Sequence, residues 1–128
     1  MKEIRLSLTL THLLLILSLF GCSGAQQEKP PGLKLLEVNG CLACHSLDGA
    51  KGIGPTLKGL FGSEVVVNAN GNQRTMRADR DYLKRSILEP QAEVVEGFRP
   101  NMPTHFKAQL GDKDLNTILD YLESLGTK

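Results

Sequence analysis

The chain has 128 residues, with 15 Lys and Arg against 14 Asp and Glu, 41% hydrophobic residues and only 5% aromatics. That length allows one domain, the near-even charge removes the simplest electrostatic case for nucleic-acid binding, and the apolar content excludes wholesale disorder. So few large side chains raise the question of what fills the centre of a small core.

Residues 1–21 read as an export signal rather than as fold. Lys2 and Arg5 make a short positive region ahead of the apolar residues 6–20, a stretch too short for a comfortable membrane span. It ends Leu19-Phe20-Gly21-Cys22, which resembles the bacterial lipobox, where the cysteine is acylated and becomes the mature N-terminus. Lipid on Cys22 would hold the protein at a bilayer, each buried methylene contributing ~0.8 kcal/mol. Residues 22–32 are then the lipidated N-terminus and a small, polar, proline-ended linker. The folded domain is expected over residues 33–128. Loss of residues 1–21 removes Lys2, Glu3 and Arg5 and leaves basic and acidic side chains even.

Leu33, Leu35, Leu36 and Val38 predict a short first helix with Pro31 near its start. Next comes Cys41-Leu42-Ala43-Cys44-His45, the C-x-x-C-H pattern of c-type haem attachment. Two thiols on one helical turn can add across the two vinyl groups of a haem, and His45 is then brought under the iron. A thioredoxin-like pair would need a βαβ context that the chain lacks, and a zinc site would need more Cys or His than His105 supplies. A disulfide across two residues would close a tiny loop and stabilise little. An export signal agrees with haem attachment outside the cytoplasm.

No segment alternates convincingly enough for a strand, and Val65, Val66 and Val67 are too short a run to build a sheet. A helix is expected over residues 79–89, capped by Asp79, ended by Pro90 and facing Tyr82, Leu83 and Ile87 inward. In Arg99-Pro100-Asn101-Met102-Pro103, two prolines stiffen an extended loop that can hold a thioether at a fixed distance from a metal. Met102 is therefore the preferred sixth iron ligand. His105 is its competitor, whereas Met76 lies in a polar, turn-rich stretch and reads as packing. The last helix has Asp112 as N-cap, an apolar stripe of Leu115, Ile118, Leu119, Leu122 and Leu125, and Gly126 as its stop. The expected fold is all-α, three or more helices with long loops around one covalently bound haem.

These motifs in order, together with Gly54-Pro55-Thr56-Leu57, Asp81-Tyr82-Leu83, Gly97-Phe98 and Met102-Pro103, make the chain resemble a class I monohaem cytochrome c. It is especially similar to the cytochrome c domain of bacterial cytochrome c oxidase subunit II, here as a lipoprotein. The resemblance implies that the Pro55 carbonyl accepts the Nδ1–H of His45. It also implies that the terminal helices cross closely near Gly40 and Tyr121, with Leu57, Leu60, Phe61 and Phe98 walling the haem from water. Arg74 and Arg77 are weaker candidates for its propionates.

With His45 and Met102 filling both axial positions, the iron (haem c) has no open site for a small-molecule substrate, which points to an electron carrier and not an enzyme. The expected setting is the extracytoplasmic face of a bacterial membrane, the periplasmic side in a Gram-negative cell. Partners would be redox proteins, a quinol-oxidising complex as donor and a terminal oxidase or reductase as acceptor. A basic run (Arg74, Arg77, Arg80, Lys84, Arg85) opposite a more acidic C-terminal part could serve as a docking patch. The competing readings are a fixed haem subunit of a respiratory or dehydrogenase complex and, less favoured, a ligand-binding sensor or peroxidase.

Overall fold

Proline starts the first helix of the computed structural model, which describes residues 28–126. The predicted signal peptide, Cys22 and most of the linker lie outside the described residues. Helix α1 (Pro31–Val38) has Pro31 at its first position, where the missing N–H costs nothing and the fixed φ already suits a helix. The helix begins two residues before the expected domain boundary because Gly32 is buried in the fold. A β-carbon at Gly32 would sit 2.2 Å from Tyr121 Cβ and 2.7 Å from the Thr117 carbonyl oxygen. Here α1 crosses the last helix, α4 (Asp112–Ser124). Tyr121 is in that crossing, as the resemblance implied, but its glycine partner is Gly32. Gly40 instead takes φ +72° with nothing within 4 Å of a β-carbon, and it turns the chain out of α1.

The stripe on α4 behaves as its spacing predicts: Leu115, Ile118, Leu119 and Leu122 are all buried. Its start differs, since Gly111 is the N-cap and Asp112 the first helical residue. Asp112 and Asp114 still place negative charge on the first turn, where the helix dipole favours it. Helix α2 (Arg80–Leu88) starts on the Asp79 side chain, which accepts from the Tyr82 N–H at 2.8 Å. Arg80 then ties α2 to α4 through Asp120 at 2.8 Å, Glu123 at 2.5 Å and Asn116 at 3.1 Å. A short α3 (Phe106–Gln109) precedes α4.

The all-α expectation needs correction. Strands β1 (Glu64–Ala69), β2 (Asn72–Arg77) and β3 (Val94–Val95) form an antiparallel sheet in the order β2-β1-β3. The β1–β2 hairpin closes on two residues, Asn70 (φ 52°) and Gly71 (φ 82°), the positive angles that a tight hairpin turn with native twist requires. Asn68 Oδ1 braces it by accepting from the Gly71 N–H at 2.9 Å. The sheet escaped the hydrophobic pattern because only β1 alternates: Val65 and Val67 are buried, while β2 is almost wholly exposed. The Asn70-Gly71 dipeptide was the one local signal for it. Val65, Val67, Ala78, Tyr82 and Leu83 share one core with Leu36 of α1 and the α4 stripe.

Candidate haem-binding site

Cys41, Cys44 and His45 owe their placement to one tight turn. After the left-handed Gly40, residues Cys41–Ala43 form a single 3-10 turn. The N–H groups of Cys44 and His45 both point back to the Cys41 carbonyl, at 3.2 and 3.0 Å. The two cysteines are free thiols and half-buried. Burial raises the Cys41 thiol pKa above its ordinary value, and the Cys44 charge adds to that. Hydrogen bonding to backbone only partly offsets the rise.

The loop that follows folds back under His45. The Gly54 N–H donates to the Cys44 carbonyl at 2.9 Å and the Leu57 N–H to Ser46 at 2.8 Å, while the Thr56 hydroxyl reaches the Ser46 carbonyl at 3.2 Å. This closure brings Gly54 flat against the imidazole: a β-carbon there would lie 2.6 Å from His45 Cε1 and 2.9 Å from Nδ1. It also presents the Pro55 carbonyl to His45 Nδ1–H at 2.7 Å. Such a bond fixes the tautomer and ring orientation and leaves Nε2 as the free donor atom for a metal. The role of Gly54 as the floor of the ring was not foreseen from the sequence, although Gly-Pro at that point was noted.

Across from this turn, β3 leads into the segment that carries Met102. Val95 and Val94 pair with Val67 and Asn68 of β1, and the Glu96 N–H donates to the Val66 carbonyl at 2.8 Å. Gly97 (φ 80°) then reverses the chain, and the Phe98 ring lies under Lys51 Nζ at 5.1 Å. The sheet thus anchors the methionine loop.

Between the two sides opens a cavity of about 230 Å³, bordered by Cys41, Cys44, His45, Pro55 and Met102 together. Its walls are mainly apolar, with Leu57, Leu60, Leu83, Ile87, Phe98 and Ile118 among them. Of the expected apolar walls, Phe61 is packed against the core instead of bordering the cavity. His105 also borders the cavity but is exposed, its ring against Phe106. Met76 does not: it sits on β2 opposite Val65, half-buried against the core. Arg74 pairs with Glu93. Cavity residues that sequence reasoning passed over include Glu93, Val95 and Phe106, and Pro90, expected as the end of a helix, borders the cavity too. Only tertiary packing assembles them.

Two thiols, an imidazole held by its Nδ1–H and a thioether converge on one apolar cavity, and glycine backbone makes room for the ring. That donor set suits a haem bound through thioether links and ligated by nitrogen and sulfur. The fold and site define a c-type haem protein. The family model described as Cytochrome c matches residues 31–126, and the chain belongs to the cytochrome c family. It is similar to cytochrome c2 iso-1 of Magnetospirillum fulvum, with 27% identity over 94 residues that cover 68% of this chain and 92% of that protein. It is also similar to cytochrome c2 of Rhodoplanes tepidamans, with 26% identity over 95 residues covering 68% and 92%. The protein is a class I monohaem cytochrome c with one covalently bound haem c, an electron carrier and not an enzyme.

Proposed function

We propose that this cytochrome is tethered by lipid on Cys22 to the extracytoplasmic face of a bacterial membrane. There it carries single electrons from a quinol-oxidising complex to a terminal oxidase or reductase, its haem attached at Cys41 and Cys44 and its iron ligated by His45 and Met102. One observation carries the ligation: His45 and Met102 border the same cavity, each held by a different restraint. Pro55 orients His45 through the 2.7 Å bond. The β1–β3 pairing and the flanking prolines Pro100 and Pro103 restrain Met102.

When bound, the haem supplies a reversible one-electron couple. The chain's own residues tune and protect it. Cys41 and Cys44 fix its position on the turn, so electron transfer needs little rearrangement. The Pro55 carbonyl raises the basicity of His45. A methionine ligand and the apolar walls, Leu57, Leu83 and Ile118 among them, exclude water and hold the potential high. The lipid and linker would confine the domain near the bilayer and raise its effective concentration at membrane partners.

The ligation is tested by visible spectroscopy on the oxidised holoprotein. The weak near-red band of a sulfur–iron bond is expected in the native protein and should vanish in Met102→Ala. A native protein without that band that binds CO readily would overturn the carrier reading. For the tether, Cys22→Ala should release haem-loaded protein into the soluble fraction. Continued membrane retention of that variant would exclude lipid as the anchor.

A further inference from the structure

Glu93 is a carboxylate that the site described above leaves unused. Its side chain is 10% exposed, it borders the haem cavity, and its Oε2 is a buried oxygen with no hydrogen-bond partner among the described residues. The chain path forces this position. Pro90, itself buried, ends α2; a turn closed by the Ala92 N–H on the Glu89 carbonyl at 3.0 Å follows, and β3 begins at Val94. Glu93 is therefore caught between β2 and α2. From β2, Arg74 donates to its Oε1; from α2, the Arg85 guanidinium stands 3.6 Å from Oε2, close enough for an ion pair but not a hydrogen bond. The third neighbour is the buried phenol of Tyr82, whose pKa is raised mainly by burial and further by the Glu93 charge.

Both arginines are about half exposed, at 55% and 48%, so water screens their charges. The carboxylate between them is largely buried, where the effective dielectric is lower and a charge reaches further. A fixed negative charge facing the haem stabilises the ferric state, which carries one more positive charge, over the ferrous state.

We infer that Glu93, at the border of the cavity and held by Arg74 and Arg85, is a potential-setting residue that lowers the haem's reduction potential. The couple remains a transfer of one electron from the reducing partner to iron. The inference rests on the haem occupying the cavity and not on which residue is its sixth ligand.

The test compares midpoint potentials of holoproteins carrying Glu93→Gln, Arg74→Gln and, as an exposed control, Glu64→Gln, at low and high salt, with visible spectra of each. The expected result is a higher potential for Glu93→Gln that persists at high salt, a lower one for Arg74→Gln, and no shift for Glu64→Gln. A Glu93→Gln potential equal to that of the native protein overturns the inference, as does a shift that salt abolishes or that Glu64→Gln reproduces. Should Glu93→Gln fail to fold, Arg74→Gln carries the test, and an unchanged or raised potential overturns it. Reading the near-red band on the same samples separates the two questions. Its absence from native protein counts against Met102 ligation alone, whereas its loss only in Glu93→Gln assigns the shift to ligation and overturns the inference.

Discussion

The two walls of the haem cavity are built on different principles. On one wall, Cys41, Cys44 and His45 stand within five consecutive residues, organised by hydrogen bonds to the Cys41 carbonyl and by a loop that returns only as far as Pro55. On the other, Met102 is held through β3, and β3 is held by pairing with β1, a strand from much earlier in the chain. The first wall is local and covalent in its logic; the second depends on strand pairing that brings distant segments together. A defect in the first should abolish the cofactor site. A defect in the second should loosen the proposed methionine ligand while leaving the haem attached.

The largest effect is expected from Cys41→Ser combined with Cys44→Ser. Without thioether links the apolar cavity loses its filling, and the chain should yield neither haem-stained protein on a denaturing gel nor native helical circular dichroism. Gly54→Ala attacks the same wall more gently. Its methyl must displace the His45 ring, since the nearest atoms would be 2.6 Å away. Overpacking of this kind should cost about 3 kcal/mol in a denaturant titration and shift the haem absorption through the tilted ligand.

On the far wall, Val67→Ala removes two methyl groups from a fully buried position opposite Val95. A loss of about 2 kcal/mol is expected. Haem stain should be retained, but the near-red sulfur–iron band should weaken at lower denaturant than the band at the attachment wall requires for unfolding. Coincident loss of both signals would show that the two walls unfold as one. Asn70→Val tests the hairpin turn itself: a β-branched residue at φ 52° should cost about 1 kcal/mol. A variant as stable as the native protein would show that the turn contributes little to the far wall.

The smallest effect is a pH dependence where α2 meets both walls. Tyr82 is buried, and burial chiefly raises its phenol pKa. Its contribution to stability is therefore complete below the unfolded tyrosine value of about 10 and is lost as pH rises through the higher folded value. Urea midpoints should fall less steeply above pH 10 in Tyr82→Phe than in the native protein. Equal slopes would mean that Tyr82 ionises in the fold without penalty.

Legibility in the sequence follows the same division. The attachment motif, the Asp79 cap and the α4 stripe could be read directly because their partners lie within a few residues or one helical period. Gly32 could not be told from linker, since its significance is Tyr121 on another helix. Nothing in the sequence marked Glu93, since its neighbours Arg74 and Arg85 come from two other elements. The sheet was hidden for a further reason: β2 buries almost nothing, so its hydrophobic pattern carries no strand period.

By itself the sequence determined that this small chain must fold around something covalently attached. Its shortage of aromatics, its C-x-x-C-H turn and its apolar helical stripe are local properties that no packing choice can alter. Tertiary structure decided what faces that group: which glycine lets the terminal helices touch, which strand anchors the methionine loop, and which carboxylate is buried between two arginines at the cavity wall. Those outcomes depend on contacts between distant segments, where shape and burial, and not residue type, decide what each side chain does.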